Sequence, residues 1–267
     1  MPGSRPNYGI DAPTLVLRFF LQGLGLLLLG IVAQVAARHE RFDWLAILPI
    51  PCYSIAVTFI ATATAMLIGS RYFKLRLRDR IIASIPWRGD EQVLDVGCGR
   101  GLMLLAAAKH LTTGRATGVD LWQTQDQSGN CRSATLANAA AESVSDKITL
   151  IDADARQLPF PDETFDVVLS SWAIHNIYDS HGRARAIQEI SRVLKPNARL
   201  VIVDIQHTQE YARVMRESGL QTIRRTCPNF LFVIPTYTLT ATKASASENS
   251  TSSMETRVIG RARDAKT

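Results

Sequence analysis

Paired cysteines, metal-ligand clusters and nucleotide-binding lysines are all missing from this chain of 267 residues. Its four cysteines, Cys52, Cys98, Cys131 and Cys227, form no CxxC pair and no regular framework. That leaves no disulfide scaffold and no zinc or iron–sulfur pattern, and it fits reduced thiols in a cytosolic setting. Aromatic residues make up only 7% and charged residues 20% of the chain, but 46% is hydrophobic, enough to build a core and too much for global disorder. Charge is absent from two long runs near the start. The first, Phe19 to Ala37, is "FFLQGLGLLLLGIVAQVAA", nineteen residues. As a helix it spans about 30 Å, the thickness of a bilayer's hydrocarbon layer. The second runs from Trp44 to Ser70, with Pro49 and Pro51 near its opening and the small-residue stretch "PCYSIAVTFIATATAMLIG" after it.

A signal peptide does not account for these runs, because a second apolar run follows at once and no processing site is evident. A buried core helix seldom stays charge-free all round for so long. Two membrane helices forming a hairpin over residues 15–70 are expected; the prolines and Arg18 leave a monotopic or re-entrant hairpin open. The block "RYFKLRLRDR", residues 71–82 with its flank, carries five basic residues against Asp79. It should stay on the cytoplasmic side beside anionic headgroups, and two spans return the N-terminal tail, residues 1–14, to that side. This placement explains much of the net charge of +6 without nucleic acid, and no other basic–aromatic stripe is evident. The expected partner is the lipid bilayer; the oligomeric state is left open.

From about Arg80 the pattern changes to short β-rich runs alternating with helical ones, an α/β fold with a mostly parallel sheet. Strands are expected at Gln92–Val96, Ala116–Asp120, Ile148–Ile151, Phe165–Ser170, Arg199–Ile205, near Gln221–Arg224 and at Phe230–Ala241. The last pair is close enough to force an antiparallel edge. Helices are expected near Leu102–His110, Asn130–Val144, Arg183–Leu194 and Gln209–Ser218. The stretch "VLDVGCGRG", Val93 to Gly101, is a buried strand running into a glycine turn and then a helix. Such glycines let a ligand touch the backbone. No GK[ST] follows, which excludes a P-loop. Asp120, 23 residues past Gly97, is placed to take two ribose hydroxyls. NAD sites share both features.

Two further stretches separate the alternatives: "DADARQLPFPDETFDVVLS", Asp152 to Ser170, and "EISRVLKPNARLVIVD", Glu189 to Asp204. With these four motifs in order, the chain from Val93 to Ala241 resembles the class I S-adenosylmethionine-dependent methyltransferases, most closely the ubiquinone/menaquinone-biosynthesis-like branch. The resemblance implies a Rossmann-like seven-stranded sheet with a reversed last strand, over residues 83–243, preceded here by the two membrane helices. It implies S-adenosyl-L-methionine as cofactor. Asp95, Gly97, Cys98, Gly99 and Gly101 would line its methionine and ribose parts. Asp120 would hold the ribose hydroxyls, with Leu121 against adenine. Asp154 would meet the adenine amine beside Ala155, and Ser170 and Ser171 would floor the methyl group. Each has a bland reading: Asp95 as a strand-end turn residue, Cys98 as a small buried filler, and Asp152 and Asp162 as solvated turn residues. No metal is implied.

Acceptor-side residues are fewer. His175, in "SSWAIHNIY", follows the fourth strand on the substrate face and can take a proton. Trp172 and Tyr178 are candidates for the pocket wall, and Asp204 and His207 for substrate contact after the fifth strand. An "NPPY"-like motif is replaced by "SSWA", against methylation of nucleic-acid bases. Many small-molecule members of the family it resembles carry a long insert after the fifth strand; here Ile205 leads through "QHTQ" almost directly into a helix, so the domain has almost no lid of its own. The hairpin is the obvious cover, and a small lipophilic acceptor is expected: a quinone, a lipid or an isoprenoid. An aqueous or protein acceptor with the hairpin as mere anchor, and a non-catalytic scaffold, are the competing readings. The serine- and threonine-rich tail, 244–267, is expected to be disordered.

Overall fold

The computed structural model describes residues 5–123, 129–232 and 234–245. Most of the tail expected to be disordered lies outside the described residues.

Two apolar helices come first, α1 (Pro13–Ala36) and α2 (Pro49–Ile68), joined through a 3-10 segment at Glu40–Ile47. Both are long and apolar enough, by length and composition, to cross a membrane, and most of each apolar window is exposed. A soluble core helix would bury it. The two pack along a seam of small residues. A Cβ added at Gly23 would stand 2.6 Å from Ile60, and one at Gly30 would stand 2.6 Å from the Tyr53 ring. Ala33, Ala56 and Ala63 are buried in the same hairpin, and Phe19 stacks on Phe59 at 5.6 Å. Close backbone approach at small residues is how helices associate where lipid gives no hydrophobic drive.

Helix α2 does not end in a linker. A π-helical turn, Gly69–Phe73, carries it into α3 (Lys74–Ala83). The basic segment after the apolar run therefore forms a helix with two faces. Leu77, Ile81 and Ile82 are buried with Leu102, Leu104 and Leu105 in one hydrophobic cluster. Arg71, Arg76 and Arg80 remain exposed. Arg78 lies over the Tyr8 ring, and Lys74 is buried.

The sheet runs in the order β3-β2-β1-β4-β5-β8-β6, with β7 paired to β8 alone. Its strands are β1 (Gln92–Val96), β2 (Arg115–Asp120), β3 (Ile148–Asp152), β4 (Phe165–Ser171), β5 (Leu194–Asp204), β6 (Leu220–Arg225), β7 (Asn229–Phe232) and β8 (Ile234–Lys243). The first five pair in parallel, and β8 is antiparallel to both β5 and β6. The seven strands with one reversed match the expected sheet. The single late strand expected over Phe230–Ala241 is instead the tight hairpin β7–β8, with Phe232 opposite Ile234. Strand β5 also begins five residues before Arg199. Pro196 disfavours helical angles at Lys195, so α6 (Ser180–Val193) passes directly into the strand.

Parallel strands must be covered on both faces. Helices α3 and α4 (Leu102–Ala108) cover one side; α6 and α7 (Thr208–Glu217) cover the other. Helix α5 (Arg132–Ala141) packs on the first side through Ala139. Each fully buried leucine, such as Leu94 or Leu104, contributes about 2 kcal/mol of transfer free energy. The strand order reverses between β1 and β4, and the crevice there, at the strands' carboxyl ends, is where such sheets bind ligands.

Candidate functional site

The glycine turn between β1 and α4 sits at that reversal. The backbone N–H groups of Gly97 and Cys98 both donate to Val119 O, at 2.8 and 3.0 Å. Gly97 holds φ +70°, and a Cβ there would stand 2.2 Å from the Cβ of Ala173. Only glycine suits this position. The Gly99 N–H donates to Asp120 Oδ2 at 2.7 Å, and the Thr135 hydroxyl donates to Gly99 O at 2.7 Å. Asp120 Oδ1 accepts from Trp122 N–H at 2.6 Å and from the Asn130 amide at 3.4 Å. The turn and the acid at the end of β2 thus hold each other in place.

Asp95 lies beneath the turn, fully buried. Its Oδ2 accepts from Leu104 N–H at 2.8 Å; its Oδ1 has no partner. Burial pushes its carboxyl up to about 7, with the Asp120 charge adding to the rise and the Leu104 bond opposing it. Asn130 Oδ1 is a second buried acceptor without a partner. Burial raises the Cys98 thiol well above its ordinary value, which suits a buried filler and not a nucleophile.

A cavity of about 560 Å³ opens on the turn. It brings together Gly97, Cys98, Gly99, Asp120, Leu121, Asp154 and Ala155 on the expected cofactor side. Ser171, Trp172, His175 and Tyr178 line the expected acceptor side. Asp95, Gly101, Ser170, Asp204 and His207 stand behind or beside the wall. Ser170 is buried and donates to Val96 O at 2.9 Å, tying β4 to β1. His207 caps α7 at φ +56°, its ring 3.7 Å from Glu210. Asp154 lines the cavity with both oxygens facing the Arg156 guanidinium, at 2.6–3.0 Å; that bonding holds its carboxyl below the usual range. Asp152, read as a turn residue, accepts from the Trp122 indole at 2.8 Å.

The remaining walls come from far away in sequence. Asp11, Ala12, Met66 and Ser70 line the same cavity, with Ile205 and Ile234. Asp11 and Ala12 are held there by a strap, residues 7–12. Asn7 exchanges hydrogen bonds with Asn138, at 2.8 and 2.9 Å, and its carbonyl accepts from Arg100 Nε at 2.7 Å. Further along, the buried Lys74 ammonium donates to Tyr8 O and Gly9 O, both at 2.9 Å, and pairs with Asp11 at 3.1 Å. Ser70 donates to Asp11 at 2.9 Å. Sequence reasoning missed these residues, together with Asn130 and Thr135. A polar cluster, Asp11 beside an otherwise apolar helix and a lysine at its end, was the available signal.

On the acceptor side, His175 sits in a 3-10 turn after β4. Its Nδ1 stands 2.6 Å from Asp204 Oδ1, ion-pair distance, but the carboxylate lies off the ring's N–H direction, and that nitrogen makes no hydrogen bond. Arg183, buried in α6, donates to the carbonyls of Ile177 and Tyr178 and pairs with Glu210 at 2.9 Å. It fixes the loop that carries the acceptor-side wall.

A family profile described as a methyltransferase domain matches residues 94–202. The fold is that of the class I S-adenosylmethionine-dependent methyltransferases. A demethylmenaquinone methyltransferase of Symbiobacterium thermophilum is 36% identical over 136 residues, covering 51% of this chain and 50% of that one. A 27-O-demethylrifamycin SV methyltransferase of Amycolatopsis mediterranei is 34% identical over 131 residues, covering 48% and 44%. The chain thus spans about half the length of these curated relatives. Among solved structures, an S-adenosylmethionine-dependent methyltransferase from Aquifex aeolicus superposes with a TM-score of 0.52 at 16% identity, over 68% of this chain and 97% of that one. The likeness to quinone-methylating enzymes is distant and lies in the methyltransferase domain.

The residues present fit the methyl donor this fold implies. The donor carries a sulfonium, an ammonium and an adenine amine, all seeking electron-rich partners. The wall offers the Asp120 carboxylate and, on Asn130, a buried acceptor oxygen without a partner; a second such oxygen, on Asp95, lies beneath the glycine turn. Leu121 presents an exposed apolar side chain beside Asp120.

Proposed function

We propose that this chain is a membrane-anchored S-adenosylmethionine-dependent methyltransferase whose acceptor is a small lipophilic molecule, of quinone or related lipid type. One observation carries the reading: a cavity is walled by the glycine turn and Asp120 at one end and, at the other, by Met66 of the apolar hairpin, Ser70 just after it, and Asp11 and Ala12 of the strap that leads into it. The domain's missing lid is supplied by the element that would sit in the bilayer. Met66, Ile205 and Ile234 make that end apolar, and the named activity of the demethylmenaquinone relative supports the acceptor class. The exposed Arg71, Arg76 and Arg80 support a cytoplasmic domain.

The cofactor, when bound, supplies an already activated methyl group on a sulfonium. Gly97, Gly99 and Asp120 would hold its amino-acid and ribose parts. Asp95, below the turn, would favour positive charge at that end. Trp172 and the hairpin residues would exclude water and orient the acceptor in line with the methyl group; Tyr178, almost fully exposed, stands at the cavity's rim. His175 is the basic group on that wall.

Membranes containing the chain, incubated with methyl-labelled cofactor and then separated into lipid and protein fractions, test the proposal. Label in the neutral-lipid fraction is expected. Label confined to protein or to water-soluble products would favour the hairpin as a mere anchor, and no label anywhere would favour a scaffold. Resistance to alkaline extraction and protease protection of the Glu40–Ile47 turn test the span and its orientation.

A further inference from the structure

We propose that Asp204 is a positioning residue that makes His175 the proton acceptor of the transfer, so that the acceptor molecule reacts through a hydroxyl or an acidic carbon and not through a free amine. This rests on the methyltransferase reading above. Asp204 ends β5 with no exposed surface, and the cavity does not reach it. It acts through what it touches. Its Oδ2 accepts from the His175 backbone N–H at 3.1 Å and from the Tyr211 hydroxyl at 3.3 Å. Its Oδ1 accepts from Ile205 N–H at 2.8 Å and faces His175 Nδ1 at 2.6 Å. The carboxylate therefore holds the histidine's main chain by a hydrogen bond and stands at ion-pair distance from its ring.

The ring nitrogen against Asp204 is buried, and no other acceptor is in hydrogen-bonding position to it. With the Asp204 carboxylate 2.6 Å from Nδ1, the neutral ring carries its proton on that nitrogen. The opposite nitrogen, Nε2, is then the free base, on a side chain that lines the cavity. A carboxylate beside Nδ1 also stabilises the imidazolium once Nε2 has taken a proton. The groups packed around this pair are the neutral Tyr211 hydroxyl and Glu210 on α7 and Arg183 on α6, with His207 beside Glu210. Arg183 and Glu210 neutralise one another at 2.9 Å, which leaves Asp204 as the anion in contact with the ring.

Such a base is of use only for some acceptors. An amine attacks with its lone pair and can release its proton to water afterwards. A hydroxyl or carbon acid must lose its proton as it attacks. The acceptor's proton passes to His175 Nε2, and the pair that held it forms the bond to the methyl carbon. The carbon–sulfur pair stays on sulfur as a neutral thioether, and the imidazolium returns its proton to water.

The test uses the full chain, labelled with ¹⁵N-histidine, in detergent micelles. Long-range ¹H–¹⁵N spectra, with His175→Gln to assign the signal, should show the wild-type ring protonated on Nδ1. Protonation on Nε2 at neutral pH would overturn the proposal, and this measurement needs no Asp204 variant. Asp204→Asn, which puts an N–H donor where an acceptor stood, should shift the proton to Nε2. It should also slow methyl incorporation roughly 10²- to 10⁴-fold and leave the Kd for S-adenosylhomocysteine within about threefold; an unaltered rate or tautomer overturns the positioning role. Label recovered on the amine of phosphatidylethanolamine overturns the acceptor class, and label on a hydroquinone or carbon of a neutral lipid supports it. Failure of wild type to bind S-adenosylhomocysteine would instead sink the functional reading and this proposal with it.

Discussion

Replacing Gly97 by alanine is the sharpest probe of how the two halves of the site are joined. Two costs can be read from the geometry. The backbone angle, φ +70°, costs an L-residue about 1–2 kcal/mol. The new methyl would also stand 2.2 Å from the Ala173 methyl, far inside the contact distance of about 4 Å. Overpacking of that kind costs about 1–3 kcal/mol. Together they amount to about 2–5 kcal/mol, which for a domain of this size lowers Tm by roughly 4–20 °C. Ala173 lies in the loop carrying Trp172 and His175, so relief of the clash displaces the acceptor wall. Methyl transfer should therefore fall further than S-adenosylhomocysteine affinity, measured by calorimetry on the detergent-solubilised chain. The decisive variant is the pair Gly97→Ala with Ala173→Gly. Removing the facing methyl should restore about 1–3 kcal/mol of stability but not the cost of the backbone angle. Strict additivity of the two substitutions would refute the argument that these methyl positions compete for one space.

Three further outcomes are expected. Asp95 is raised in the native state to about 7, above the value near 4 of an unfolded carboxylate. Its contribution to stability is therefore full below about pH 4 and lost as pH climbs through about 7. Asp95→Asn should flatten the unfolding midpoint against pH across that window, and an unchanged slope would count against the buried carboxyl as its source. Gly23→Leu places a side chain where Ile60 and the Ala56 carbonyl already stand. It should splay the hairpin, seen as lost cross-linking between cysteines placed at positions 19 and 59, and depress transfer while S-adenosylhomocysteine still binds. Lys74→Met removes the anchor of the strap. Because Asp11 is partly exposed, the loss should be about 2 kcal/mol, below the figure for a fully buried pair. It should be visible as earlier protease cleavage within residues 5–12.

The parts of the fold that could be read in advance are those whose signals are local. The "VLDVGCGRG" turn states its geometry in consecutive residues, because glycines at positive φ and a buried strand are properties of neighbours in the chain. Asp120 could be placed because the fold fixes the spacing between consecutive strand ends. The roof could not be read this way. Asp11, Ser70 and Lys74 meet across some sixty residues of apolar hairpin, and nothing in the composition of either segment points at the other. Helix α3 illustrates the same limit: five basic residues suggested a segment lying beside anionic headgroups, and Leu77, Ile81 and Ile82 repeat at core-facing intervals, but only packing on α4 decided which face went in. Position 204 also differs in kind from its first reading. An aspartate at a strand end suggests a ligand contact, but complete burial puts it behind the histidine. The division of the last expected strand into the antiparallel pair β7 and β8 had no local marker in the sequence, since no glycine, asparagine or aspartate lies between Phe230 and Ala241.

The unbroken run of helix from Pro49 through the π turn to Ala83 makes the hairpin and the domain a keyed shaft, not a ball on a tether. Each residue of an α-helix advances the direction of its side chains by about 100° and its length by about 1.5 Å. One residue added at Gly69–Phe73 would swing the cavity's mouth about a quarter-turn away from the face of α2 that now roofs it, whatever the added side chain. Four residues would bring it nearly back into phase, about 6 Å further along the helix axis from the hairpin. Activity against insertion length at this junction should therefore oscillate with the helical period, where a flexible tether would show only a gradual decline.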